Sequence, residues 1–162
     1  TNIQCEERAK IIFSDEIAKS LHVLSTYMPL DFGNYVFPNL KTCFFHVVSM
    51  PMPEQVPALV SLHTNTLNDI SMINDYPSVT RLEIRDLGDW DLHRPQTLPN
   101  VENLALTDFE GHHDNAQALI DAIPNLKKAL IPDGFNVSIP EHVETFPDDL
   151  ISLFCVMAPP RG

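Results

Sequence analysis

The chain has little positive charge. Its 162 residues hold 10 Lys+Arg against 22 Asp+Glu, for a formal net charge of -12. No basic run extends beyond the pair Lys127–Lys128. Gripping a phosphate backbone takes a basic face, so no nucleic acid is expected as a partner. An acidic membrane surface would repel the chain in the same way. A basic or neutral protein partner meets no such penalty. No stretch of about 18 apolar residues occurs either, so no membrane span is expected. The opening TNIQCEERAK lacks the basic patch and apolar run of a signal peptide.

Cysteine is scarce. Cys5, Cys43 and Cys155 are odd in number and far apart, which is neither a disulfide framework nor a zinc spacing. Reduced thiols in a cytoplasmic or nuclear protein are the expectation. Glycine is scarce as well. Gly33, Gly88, Gly111, Gly134 and Gly162 form no phosphate-cradling loop, and neither G-x-S-x-G nor H-E-x-x-H occurs. The only dense cluster of ligating side chains is His112-His113-Asp114. Adjacent residues rarely ligate one ion, so this triplet is expected to be a polar loop ahead of a helix. No enzyme, cofactor or metal site is therefore expected. Asn136-Val137-Ser138 matches the glycosylation sequon, but the triplet is common by chance.

Proline, by contrast, is plentiful, with 14 residues. Five prolines open similar strings: PNLKTCFF from Pro38, PALVSLHT from Pro57, PSVTRLEI from Pro77, PNVENLAL from Pro99 and PNLKKALI from Pro124. All fit P-x-[LV]-x-x-[LCA]-x-[LFIT]. A looser copy, PDDLISLFC, starts at Pro147, and SLHVLST carries the pattern without its proline. With the first aliphatic residue as position 1, the marks are Leu21, Leu40, Leu59, Val79, Val101, Leu126 and Leu150. Their spacing of 19 to 25 residues lies within or next to the roughly 20–29 residue period of leucine-rich repeats.

The physics of the unit follows from its pattern. Positions 4 and 6 alternate with mostly polar residues, which is strand periodicity; in two units they are Leu82 and Ile84, and Leu104 and Leu106. So short a strand cannot bury its apolar face alone, whereas stacked copies bury each other's. The expected fold is an α/β solenoid: a leucine-rich-repeat arc with a concave parallel sheet and a convex side of mixed helices and turns. Residues 1–20 would form an N-terminal helical cap or the remnant of a preceding repeat, 21–157 about seven units, and 158–162 a frayed end. Helices are expected after Ser14, with Asp15 and Glu16 in the first turn, and after a cap at Asp114 or Asn115, with Ala116, Leu119, Ile120 and Ile123 as the apolar face. The shorter units near Leu40 and Leu59 leave room only for a turn or a 3₁₀ segment.

The strings FPNLKTCFF, YPSVTRLEI, LPNVENLAL and IPNLKKALI resemble the irregular leucine-rich repeats of F-box-type proteins. Where other subclasses place an asparagine after the strand, this chain has Val48, Leu67, Leu87 and Phe109, and that too fits the resemblance. The resemblance implies an arc that recruits a partner, often a substrate for ubiquitin transfer, and so a ligase scaffold in the background. No F-box segment is recognisable in the chain. The alternative is a structural subunit packed within a larger assembly.

The register also names the surface. Positions 3, 5 and 7 should face outward on the concave side. Tyr27, Phe44, His46 and His63 would form an aromatic and imidazole patch there, next to Asn65 and a charged strand carrying Arg81, Glu83 and Arg85. Exposed aromatics beside polar atoms suit an interface hot spot, so these eight residues are the expected protein-binding site. A Phe44 ring covered by its neighbours is the competing expectation. Acidic side chains recur at position 8 as Asp86, Asp108 and Asp133, with Asp89, Asp91, Glu110 and Asp114 in the loops that follow. They act either as turn residues or as a surface for a cation or a basic partner.

Overall fold

The computed structural model describes residues 2–5, 13–26, 30–45, 50–66, 70–86, 97–107 and 113–146. They build one eight-stranded sheet, all parallel, with the strands in sequence order. The strands are β1 (Asn2–Cys5), β2 (Val23–Thr26), β3 (Thr42–Phe45), β4 (Ser61–Thr66), β5 (Arg81–Asp86), β6 (Asn103–Leu106), β7 (Lys128–Leu130) and β8 (Glu144–Phe146). Helices are few: α1 (Asp15–Ser20) and α2 (His113–Asp121), with 3₁₀ turns at Pro53–Gln55 and Ile70–Asp75. The arrangement is α/β. Among the described residues no helix is long and apolar enough to cross a membrane.

Strand pairing keeps the sequence register. Val23, Thr42, Ser61, Arg81, Asn103 and Lys128, the third residues of six successive units, pair in that order across the sheet. Position 4 then falls on the core side from β2 to β7, while its counterpart in β8, Thr145, is exposed. Leu24, Cys43, Leu62, Leu82, Leu104 and Ala129 form one row, each no more than 1 % exposed. A second buried row, at position 1, contains Leu21, Leu40, Leu59, Val79, Val101 and Leu126. Cys43 stands where its neighbours have leucine, and burial pushes its thiol pKa well up.

The proline strings make a turn that repeats. In five units the carbonyl before proline accepts a hydrogen bond from the N–H of position 1: Phe37 from Leu40, Val56 from Leu59, Tyr76 from Val79, Leu98 from Val101 and Ile123 from Leu126. Proline at the second place of such a turn has its φ preset and needs no donor. The residue before it is an anchor: Phe37, Val56, Tyr76, Leu98 and Ile123 are all buried. The residue after it bridges units. Asn39 donates to the Lys19 carbonyl (2.7 Å), Ser78 to that of Leu59 (2.6 Å) and Asn125 to that of Pro99 (2.8 Å). These bonds run back to the preceding unit from the strand entrance, on the other side of the strand from the usual asparagine position. A backbone ladder runs beside them. The carbonyls of His22, Lys41, Val60, Thr80 and Glu102 each accept from two successive N–H groups of the next unit.

The return segments vary with their length. α1 starts where expected, with Ser14 Oγ accepting from the Ile17 N–H (3.2 Å) and Asp15 and Glu16 in the first turn. α2 buries Ala116, Leu119 and Ile120, with Ile123 just beyond it. It begins at His113, however, so Asp114 and Asn115 lie inside its first turn and do not cap it. Acidic or amide side chains suit the first turn almost as well as the cap, which makes the two placements hard to tell apart from sequence. The 3₁₀ turn at Pro53–Gln55 is tied to the preceding return by Gln55, whose Nε2 donates to the carbonyls of Gly33 and Tyr35, both at 2.9 Å. Beneath it Phe13, Phe32 and Phe37 pack ring against ring, with centroids 5.0 to 6.0 Å apart.

Tyr76 follows the second 3₁₀ turn, and its hydroxyl donates to the Pro51 carbonyl. Burial first, then the nearby Asp75 charge, pushes its pKa up to about 12 from an ordinary 10. The folded state thus favours the neutral phenol. Its contribution is fully present below pH 10 and is lost as pH rises through about 12. Tyr76→Phe should cost about 1 kcal/mol of unfolding free energy at neutral pH, the worth of one hydrogen bond. It should also flatten the fall in stability above pH 10, as read from urea melts on both proteins. Parallel curves in that range would rule out Tyr76 as the source.

The two ends of the sheet extend beyond the simplest repeat count. β1 pairs with β2 ahead of the Leu21 unit, so a strand precedes α1. At the far end the strand paired with β7 is Glu144–Phe146, whereas the seventh unit was expected at Leu150. Pro140 opens this strand's turn, but His142 stands at the aliphatic mark and the next residue, Val143, is buried in its place. That one-residue contraction hides the unit from a pattern search. The copy starting at Pro147 lies outside the described residues, as do residues 158–162.

Candidate functional site

Strand alternation sends positions 3 and 5 to the face opposite the leucine rows. Along β5 this is plain: Leu82 and Ile84 are buried, Arg81 and Glu83 are partly exposed, and Arg85 is exposed. At position 5 the neighbours across β3, β4 and β5 are Phe44, His63 and Glu83. The Phe44 and His63 rings stack, with centroids 4.0 Å apart and planes 22° from parallel. On its other side His63 donates through Nδ1–H to Glu83 Oε2. The second carboxylate oxygen of Glu83 accepts from Thr107 Oγ1 at 3.5 Å. One connected row therefore crosses β3 to β6.

Each link has a simple cause. Parallel strands about 4.8 Å apart carry register neighbours at stacking distance, so two flat rings at one position lie face to face. A carboxylate in the next strand meets the imidazole edge and selects the tautomer with hydrogen on Nδ1. His63 and Glu83 have side chains only 12 % and 14 % exposed, so the pair is mostly withdrawn from solvent. Nε2 of His63 has no hydrogen-bond partner among the described residues. A carboxylate-oriented imidazole is half of a general-base site. The other half, a hydroxyl or thiol aimed at Nε2, is absent among the described residues. What the row offers is a stacked ring pair with a polar edge fixed by Glu83.

Of the eight residues expected in the site, the structure brings Phe44, His63 and Glu83 into contact and places Arg81 and Arg85 on either side of Glu83 in β5. Asn65 lies in β4, and its side chain is not described. Tyr27 and His46 lie outside the described residues, as do Asp89, Asp91, Asp108 and Glu110. Phe44 falls between the two expectations for it, being half-buried with one ring face covered by His63. Thr107 completes the row but was not expected in the site. The signal for it was its place two residues beyond the Glu83 neighbour Ala105, at the same register position as Arg85.

The expectation that positions 3, 5 and 7 are exposed throughout needs correction, and at position 7 Thr107 is only 6 % exposed. Thr42, Ser61, Ala105 and Leu130 are all 2 % exposed or less. Alternation fixes which face a side chain takes, but not its depth. Small side chains between larger neighbours at strand spacing sink below them. Thr42 Oγ1 is buried with no hydrogen-bond partner among the described residues. Ala105 and Leu130 lie outside the main core cluster, so the outer face has a closed apolar patch of its own over β6 and β7. Beyond it Lys128 pairs with Glu144 (3.6 Å) and lies over the Phe146 ring (5.7 Å). Accessible polar side chains on the described face therefore occur at both ends of this patch, Arg81 and Arg85 on β5 and Lys128 and Glu144 on β7 and β8. Among the described residues no group of three His, Cys, Asp or Glu side chains could hold a metal ion.

No protein-family model, curated protein or solved structure matches the chain.

Proposed function

We propose that the chain is a leucine-rich-repeat solenoid that recognises another protein through the outer, concave face of its sheet. The fuller form of the proposal makes it the substrate-reading part of an F-box-like ubiquitin-ligase adaptor, working in the cytoplasm or nucleus without a cofactor. The observation that carries the recognition role is the Phe44–His63–Glu83 row, a rigid aromatic and charged strip on an otherwise repetitive scaffold. Hot spots are rich in such side chains, held rigid and partly desolvated before the partner arrives. Support for the repeat class comes from the strand-per-unit order, the shared register and the proline turn that recurs at each strand entrance.

Affinity capture from native lysate, followed by mass spectrometry, tests the proposal when run beside a chain with Phe44 and His63 replaced. A partner recovered by the natural chain and lost by the variant supports recognition through this face. A ubiquitin-ligase scaffold in the same eluate supports the adaptor role. A stoichiometric assembly recovered equally by both proteins would point to a structural subunit held by its ends, and would overturn the proposal.

A further inference from the structure

Local and overall charge differ in sign on this protein. The chain carries -12, yet among the described residues at positions 3, 5 and 7 of the sheet face three bases, Arg81, Arg85 and Lys128, stand against two acids. Among the described residues at positions 3, 5 and 7 of the face, the acids are Glu83 and Glu144, and both are engaged. Glu83 accepts from His63 and Thr107, and Glu144 pairs with Lys128. Arg81 has an interaction of its own, which leaves Arg85 as the base outside such contacts. Arg85 is exposed and makes no ion pair or hydrogen bond among the described residues.

We infer that the partner presents an acidic segment: a carboxylate that meets Arg85, beside an apolar side chain that lies against Phe44. This inference rests on the proposed recognition role and adds the chemistry of the partner. The geometry favours it in two ways. The Glu83 carboxylate already has His63 and Thr107 as donors, so a basic partner would have to break that row to reach it. A carboxylate on the partner breaks nothing, and a guanidinium can receive it through two parallel N–H bonds. The surrounding acidity adds selectivity, because a long acidic tract would be repelled while a single carboxylate set among apolar residues would not.

Selection of displayed random dodecapeptides against the whole chain tests the inference. The natural chain should enrich peptides with one Asp or Glu near a Leu, Phe or Tyr. Arg85→Glu should weaken the best of these about five- to tenfold in low salt, since one exposed ion pair is lost and a like-charge contact is gained. A second selection on the Arg85→Glu protein should favour Lys or Arg at the same place. Basic or charge-neutral peptides enriched by the natural chain would overturn the inference and leave recognition standing. Equal binding by the natural and Arg85→Glu proteins would also overturn it. No enrichment over a bare display scaffold would overturn the recognition proposal and this inference together. Circular dichroism on Arg85→Glu should be unchanged, because the side chain it replaces is exposed and has no partner among the described residues.

Discussion

Leu104→Ala should lower the unfolding free energy by about 2–5 kcal/mol. Leu104 is fully buried and stands in the middle of the position 4 row, between Leu82 on β5 and Ala129 on β7. The cost belongs in the upper part of that range. Ala129 is too small to move into the cavity, and the backbone ladder from Thr80 through Glu102 to Lys127 keeps the three strands at fixed spacing. The damage should also be local. In the proposed solenoid each unit contacts only its neighbours, so its stability is close to a sum over units and their interfaces, and the sheet's strands follow sequence order as that requires. Hydrogen exchange in Leu104→Ala should therefore speed up most at β5 to β7 and least at β2 and β3. A loss below about 1 kcal/mol in denaturant melts would mean that Leu104 is not a core residue. Uniform acceleration across all strands would mean that the units do not behave as a stack.

Much of this core was legible in the sequence because it rests on repetition. A single P-x-L-x-x-L string carries little information, but five at one offset fix the register, and a register fixes the face of every side chain. Lateral pairing of Thr42 with Ser61 and of Leu82 with Leu104 follows directly from aligning the strings. What the strings do not contain is depth. Ser61 and Glu83 both occupy outer-face positions, yet Ser61 is 2 % exposed and Arg85, two residues beyond Glu83, is open to solvent. Depth depends on the volume of neighbours one strand away, which position within a unit does not record. The β8 unit was missed for a related reason. His142 breaks the aliphatic rule at the one place where the pattern is anchored, although Val143 meets the same burial need one residue later. The pre-proline anchors were visible in the strings as Phe37, Tyr76, Leu98 and Ile123. They lacked meaning until the turn hydrogen bond showed that their carbonyls close onto position 1.

Replacing Phe44 and His63 should weaken partner binding by about 2–4 kcal/mol, the range of a truncated hot spot. The choice of substitution matters because the row also belongs to the fold. His63→Ala would take from the Glu83 carboxylate, only 14 % exposed, its donor at Oε2, and losing such a bond to a withdrawn charged group costs about 1–3 kcal/mol. A double alanine variant would then lose binding and stability together and would separate nothing. Phe44→Leu with His63→Asn avoids this. Asparagine holds an amide N–H close to the place of Nδ1–H and can keep the bond to Glu83 Oε2, while leucine keeps most of the apolar volume. What this pair removes is the flat stack, with its 4.0 Å ring separation, and the Nε2 edge of the imidazole. Calorimetric titration with a captured partner should then show at least a thirtyfold loss in affinity, with the melting temperature within a few degrees of the natural chain. Should affinity survive while both rings are gone, the row would be a cross-strand clamp that stiffens β3 to β5. The contact surface would then have to be sought elsewhere on the sheet.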